Sequence, residues 1–257
     1  MNNISGLIIT YNEEDNIEGC IVSLKKVCDD IVIIDSNSID RTKALAEAMG
    51  VVFIQQDFLG DGPQRSYGLS YCSHSWVLNL DADERLDEDV ITVIQSLDLE
   101  NTNFDAFEFK RKNHLHGKWI KHADWYPDYV RRLFNKKATD FSPVAVHTKI
   151  KSTNTKKLNC HIIHYSFKNL EDMVARLNTY STWGAMQLYK QGKKVNFLSP
   201  FSHGLFSFIK FYIFKRGFLA GVDGMSISIA KSVSSYLKYA KLIEYKANNN
   251  DYLKKEQ

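Results

Sequence analysis

Apolar and polar positions follow two different periods over the first hundred residues. Short apolar runs at 5–10, 31–35, 51–55 and 76–80, rich in β-branched residues, read as strands buried on both faces. Between them, 14–27, 40–49, 62–72 and 88–97 carry apolar residues at helical spacing, and Gly50 closes the second of these. Strands alternating with helices predict right-handed crossovers and a mostly parallel sheet flanked by helices, an α/β fold. Ligands of such sheets bind beyond the carboxyl ends of the strands. That rim would gather Tyr11-Asn12-Glu13, Asp35-Ser36-Asn37-Ser38 and Asp81-Ala82-Asp83.

The pattern changes at Phe104. Up to about Ser166 it gives short β-like pieces at 106–111, 129–134, 144–150 and 161–165. Between the first two lies 117–128, polar and aromatic with few aliphatics, a composition suited to binding rather than packing. After Asn169 the chain reads as helical, with breaks near Gly192, Pro200 and the glycines Gly217, Gly221 and Gly224, and the polar end 248–257 is expected to fray. The expected organisation is a domain over 1–166, in two halves that meet at 103/104, followed by a helical region over 167–257.

Asp81 and Asp83 add chemistry to this pattern. Alternation would turn both carboxylates to one side if extended geometry persists past Leu80, and two such groups repel unless a cation lies between them. Mg²⁺ or Mn²⁺ suits oxygen ligands of this kind and keeps positions open for substrate phosphates. The same residues also suit turn and capping hydrogen bonds ahead of a helix starting near Asp87.

With 44% hydrophobic and 25% charged residues, the chain of 257 can bury a large core, which excludes a disordered protein. Cys20, Cys28, Cys72 and Cys160 form neither a Cys-x-x-Cys pair nor a regular framework and are expected to be reduced. Met1-Asn2-Asn3 leads into the first strand without the features of an export signal, so the expected location is cytoplasmic. The net charge of +3 hides an asymmetry: residues 190–257 hold 12 Lys or Arg against 4 Asp or Glu. The run 206–216 adds aromatics to that basic end. Together they predict contact with an anionic membrane surface rather than nucleic acid, for which no recognition motif is present. Lys210, Lys215, Arg216 and Asp223 interrupt every apolar stretch before the roughly 18–20 residues needed to cross a bilayer.

Ile9-Thr10-Tyr11-Asn12-Glu13-Glu14, Ile34 to Thr42 and Leu80-Asp81-Ala82-Asp83-Glu84 occur in the order expected of an inverting family 2 glycosyltransferase of the GT-A fold, which the chain resembles. Trp119-Ile120-Lys121-His122, Trp125-Tyr126-Pro127-Asp128, Arg132-Leu133-Phe134, Val146-His147 and Lys215-Arg216-Gly217-Phe218 resemble more narrowly the bacterial subgroup that adds glucose to the inner core of lipopolysaccharide. The resemblance implies that Thr10, Tyr11 and Glu13 line a nucleotide pocket and that Asp35 accepts hydrogen bonds from the base or ribose. Arg65 would sit near the diphosphate, Asp83 would hold Mg²⁺ or Mn²⁺, and Asp81 would assist through the ribose or the ion. Asp128 is the candidate general base, with Glu84, Asp124 and His147 left open. Two departures stand out. Gln64-Arg65-Ser66 lacks the Asn that relatives place after the basic residue, and Thr148 replaces the acid that often follows Val-His. His161 and His164 are expected to be structural.

The expected activity is transfer of a hexose, glucose first, from a nucleoside diphosphate sugar such as UDP-glucose to a glycolipid acceptor. The enzyme would sit peripherally on the inner face of the bacterial cytoplasmic membrane. The alternatives are a family 2 transferase for another surface polysaccharide or lipid-linked acceptor, and a noncatalytic sugar-nucleotide-binding or membrane-scaffold protein.

Overall fold

The computed structural model describes residues 3–142 and 150–248. Two compact units make up the chain: Met1–Lys112 with Pro127–His164, and Asn113–Tyr126 with Tyr165–Gln257.

In the first unit β1 (Ile4–Thr10), β2 (Asp30–Asp35), β3 (Val52–Gln55) and β4 (Trp76–Asp81) pair in parallel in the order β3-β2-β1-β4. Their crossovers carry α1 (Ile17–Leu24), α2 (Thr42–Ala48) and α3 (Asp61–Leu69). After β5 (Glu84–Leu86) and α4 (Glu88–Ser96), the sheet grows by β6 (Ala106–Leu115), β8 (Asp128–Asn135) and β9 (Thr155–Phe167). β8 runs antiparallel to β4 and β6, and β5 antiparallel to β9. The α/β class holds, with parallel pairing among the described residues confined to β1–β4.

Both sheet faces are covered, as continuous apolar strands require. Ile4, Ile8, Ile33, Leu78 and Leu80 pack with Ile17, Ile21 and Leu24 of α1 and Val90, Ile91 and Ile94 of α4. The alternate residues Leu7, Val32, Ile34 and Val77 join the opposite core with Phe134 and Phe141. α3 lies close on that face. A Cβ at Gly68 would come within 2.6 Å of Leu7 Cδ1, so only glycine allows this approach, which fixes Arg65 one turn earlier.

The structure extends several expectations. β5 and β7 (Lys118–Trp119) are too short to show a period, and β9 runs well beyond 161–165. The expected strand at 144–150, with His147 and Thr148, lies outside the described residues except for Ile150, which bridges Phe141.

The second unit holds the end of β6 with β7, the end of β9, α5 (Leu170–Lys190), α6 (Ser199–Ile209) and α7 (Gly221–Ala247). A π-helical turn, Lys210–Phe214, and a 3₁₀ turn, Gly217–Ala220, join the last two helices. Asn169 caps α5 by accepting the Asp172 N–H at 2.8 Å, a satisfied helix start. Gly224 is not a helix break. It lies inside α7 because a Cβ there would overlap the Gly217 carbonyl oxygen, 1.8 Å away. Pro200 occupies the first turn of α6, where its missing N–H costs nothing.

Candidate active site

Parallel register brings the predicted motifs together. Thr10 pairs with Asp35 across β1 and β2, and Ile9 pairs with Asp81 across β1 and β4, so three strands end level on one rim. Beyond it the loops are cross-linked. The Asp35 carboxylate accepts from the Ser38 N–H at 2.8 Å and the Ser38 hydroxyl at 2.5 Å. Ser38 Oγ in turn accepts the Asn12 N–H at 2.8 Å, and Asn12 Oδ1 accepts the Ile39 N–H at 2.9 Å. Asn12 and Asn37 both take left-handed backbone angles, which asparagine tolerates better than most residues.

The remaining rim residues differ in exposure. Thr10 is buried and its Oγ1 makes no hydrogen bond, whereas Tyr11 is 57% exposed. Glu13 turns back into its own loop: its N–H donates to Thr42 Oγ1 at 2.8 Å and its carboxylate accepts from Asn16 Nδ2 at 2.7 Å. Gln64, which precedes Arg65, is fully buried. Its amide accepts the Leu59 N–H and donates to the Gln56 carbonyl, pinning the loop ahead of α3.

Extended geometry does not persist through Asp81-Ala82-Asp83. The chain turns at Ala82 and Asp83 before β5, so the two carboxylates meet different partners. Asp81 Oδ1 accepts from Arg65 Nη2 at 2.7 Å, and Oδ2 accepts from Arg132. Burial pushes the Asp81 carboxyl up, but Arg132 and Arg65 outweigh it and hold it well below the usual carboxylate range. Both Asp81 oxygens accept from guanidinium groups, so Asp81 anchors two cations. Asp83 instead faces His164, whose Nε2 lies 3.4 Å from Oδ2.

That placement gives His164 a specific neighbour without departing from its structural reading. Register explains it: Glu84 pairs with His164 across β5 and β9, so the imidazole arrives beside the turn that presents Asp83. His161 is different, with Nδ1 2.5 Å from Asp89 Oδ2 near the start of α4. Among the described residues no cluster of three or more His, Cys, Asp or Glu could hold a metal. Asp83 and His164 supply two partly buried donors. This suits an ion that keeps most of its positions for phosphate and water.

The ionic chain continues past Asp81. Arg132 Nη2 donates to Glu84 Oε1 at 2.6 Å, and Arg111 Nη1 approaches the same oxygen at 3.3 Å. Arg111 then grips Asp128 Oδ2 through Nε at 2.8 Å and Nη2 at 2.6 Å. At the other end Arg65 Nε donates to Asp61 at 2.9 Å, while its buried Nη1 has no hydrogen bond. Glu84 has no exposed surface and also accepts the Asp81 N–H, so it is a structural hub rather than a base open to an acceptor. Asp124 lies in the second unit, 2.7 Å from Lys215 Nζ.

The sequence reading missed Arg111 and Arg132. The adjacent Arg131 and Arg132 carried a signal, because strand alternation must turn one of two neighbours inward. Arg131 instead pairs with Glu108 at 2.8 Å.

Residues 5–218 match the family described as Glycosyl transferase family 2. An uncharacterised glycosyltransferase of Rickettsia felis is 32% identical over 257 residues, covering 95% of this chain and 90% of the relative. The lipopolysaccharide core biosynthesis glycosyltransferase LpsC of Rhizobium meliloti is 26% identical over 254 residues, covering 94% and 92%. Among solved structures, TarS 1–349 of S. aureus in complex with UDP aligns over 98% of this chain and 93% of that one, at 13% identity and a TM-score of 0.49. With a match over most of its length and relatives above 30% identity across nearly all of it, the chain belongs to glycosyl transferase family 2.

Proposed function

We propose that the protein is an inverting hexosyltransferase that moves glucose from a nucleoside diphosphate donor such as UDP-glucose to the inner core of lipopolysaccharide or lipooligosaccharide. The acceptor is then a membrane-anchored glycolipid at an anionic surface, and the enzyme is peripheral to the inner face of the cytoplasmic membrane. The donor would be held by residues 1–103 and the acceptor met by residues 104–166. The observation that carries the reading is the level rim of Thr10, Asp35 and Asp81 with Arg65 beside it, next to the turn that presents Asp83. The core-glycolipid acceptor is supported by the likeness to LpsC and by the segment 117–128. Among the described residues no helix is long and apolar enough to cross a membrane.

In this reading Thr10, Tyr11, Glu13 and Asp35 surround the nucleoside, and Arg65, held by Asp61 and Asp81, meets a diphosphate oxygen through its unpaired Nη1. Mg²⁺ or Mn²⁺ bound by Asp83 and His164 would neutralise charge on the departing diphosphate. The acceptor hydroxyl attacks the anomeric carbon on the face opposite the leaving group. The new carbon–oxygen bond forms as the bond to the diphosphate breaks, and the hydroxyl proton passes to Asp128, which Arg111 orients.

The test is a panel of nucleoside diphosphate sugars assayed by nucleotide release against truncated core glycolipids, with and without Mn²⁺. Release that requires both UDP-glucose and an inner-core acceptor supports the proposal. Equal release with unrelated lipid-linked acceptors moves the assignment to another surface polysaccharide.

A further inference from the structure

α6 is inside out. At helical spacing Pro200, Gly204 and Ser207 form one stripe, and these small residues are the ones buried. They pack on α7 through hydroxyl-to-carbonyl contacts: Ser232 donates to the Gly204 carbonyl at 2.8 Å and Ser207 to the Lys231 carbonyl at 3.1 Å. A Cβ at Gly204 would stand 3.3 Å from Tyr236 Cβ, so the approach is close. The opposite stripe holds Leu198, Phe201 and Leu205, at i, i+3 and i+7, which are 55%, 61% and 63% exposed. A helix of a soluble domain turns its large apolar stripe toward the core, and scattered exposed apolar residues do not repeat at helical spacing. The π-helical turn buries none of its residues; Phe214 at its end is 71% exposed, and Val222 beyond it is 79% exposed.

Charge identifies what would cover this face. From 190 to 222 the sequence has no Asp or Glu. Lys190, Lys193 and Lys194 precede the apolar stripe, and Lys210, Lys215 and Arg216 follow it. An apolar strip with cations at both ends complements an anionic leaflet, whose headgroups lie outside the acyl boundary. With no described helix fit to cross a bilayer, α6 would lie flat in the interface.

We propose that α6 and the turns leading into α7 are a lipid-docking face. Phe201, Leu205, Phe206 and Phe214 enter the acyl boundary of an anionic leaflet, and the flanking lysines meet its phosphates. The proposal rests on the peripheral-membrane part of the function above and names the surface responsible. The same unit carries the segment 113–126. The Ala123 N–H donates to the Lys215 carbonyl at 2.9 Å, and Asp223 at the start of α7 holds His116 at 2.9 Å and Lys118 at 2.6 Å. Docking would therefore bring that segment to headgroup level.

The experiment is flotation of the full-length protein with vesicles of phosphatidylcholine alone or mixed with phosphatidylglycerol, without donor. Binding should rise with phosphatidylglycerol and weaken in high salt. Phe201→Ser with Leu205→Ser should lower it more than tenfold, and Lys193→Gln with Lys194→Gln about fivefold per charge. Circular dichroism should be unchanged and melting lowered only slightly, because the altered side chains are largely exposed and Phe201 gives up only its edge-on contact with Tyr236. Equal indifference to neutral and anionic vesicles, or undiminished binding by the apolar variant, overturns the proposal. So does a concentration-dependent dimer that Phe201→Ser with Leu205→Ser dissociates, since a second copy would then cover the face. Nucleotide release with a soluble core oligosaccharide, measured on the unaltered protein, separates the two readings: transfer without any vesicle binding rejects only the docking face, and vesicle binding without transfer rejects only the transferase assignment.

Discussion

Asp81 and Asp83 sit two residues apart and do different work. Asp83→Asn should lose most transfer activity while leaving thermal stability unchanged, and Mn²⁺ titration should show weakened metal binding, because one charged donor is removed from a site with few. Full activity of wild type after chelation, together with normal activity of the variant, would reject this. Asp81→Asn should act on stability instead. It leaves Arg65 with Asp61 alone and Arg132 with Glu84 alone as counter-charge in a largely buried setting, a loss at or below the lower end of about 3–5 kcal/mol because Asp81 is 31% exposed and both arginines keep one partner. The sign with pH follows from a carboxyl held below its ordinary value. Its contribution is fully present above the unfolded value near 4 and is lost as the pH falls below it, so urea midpoints of wild type and variant should converge in acid. Asp128→Asn should lower kcat by on the order of 10²-fold or more with donor affinity retained, as expected of a base that does not hold the donor. Near-normal turnover would remove Asp128 from that role.

At the level of elements, a single arginine ties α1 to the turn that presents Asp83. Arg85 Nη1 donates to the Ala82 and Glu84 carbonyls at 2.6 and 2.7 Å, and Nη2 reaches the Asn16 carbonyl. Its guanidinium lies over Gly19, where a Cβ would come within 2.4 Å of Nε. Gly19→Ala therefore sets two effects against each other. Alanine favours the helix by about 1 kcal/mol, but a guanidinium pinned by three carbonyls cannot move aside without releasing the turn. Activity should fall about tenfold with no gain in melting temperature; a more stable, fully active variant would show that Arg85 yields freely. None of this coupling is legible in the sequence, because Gly19 and Arg85 lie far apart in it. What periodicity does reveal are the long, strongly patterned elements: β1 to β4 are found where their apolar runs predict. β5 and β7 escape because three or two residues cannot establish a period. The rim was legible for a related reason, since the motifs follow the carboxyl ends of strands that a parallel sheet places on one side. Arg111, Arg132 and His164 were not, because their positions depend on antiparallel register, which is set by tertiary pairing.

Over the whole chain, each compact unit has its own apolar core, and its natural reporters are segregated. Cys20, Cys28, Cys72 and Cys160 are all free, buried and in the first unit. Burial pushes the Cys72 and Cys160 thiols up to about 12, so neither inaccessible group has thiolate character at neutral pH. Trp119, Trp125 and Trp183 belong to the second unit, leaving Trp76 alone in the first. Thiol labelling thus reads the first core, and tryptophan emission reads mainly the second. Units with separate cores are expected to lose structure as units. Leu242→Ala removes a fully buried side chain from the cluster with Ala185, Tyr239 and Tyr245, at a cost of about 2–5 kcal/mol. In a urea titration this variant should shift the emission midpoint to lower denaturant while thiol labelling stays near the wild-type midpoint. The converse substitution, Ile21→Ala in the core beneath α1, should expose thiols early and leave most of the emission change in place. If both probes move together in both variants, the two cores unfold as one cooperative body and the division into units has no thermodynamic counterpart.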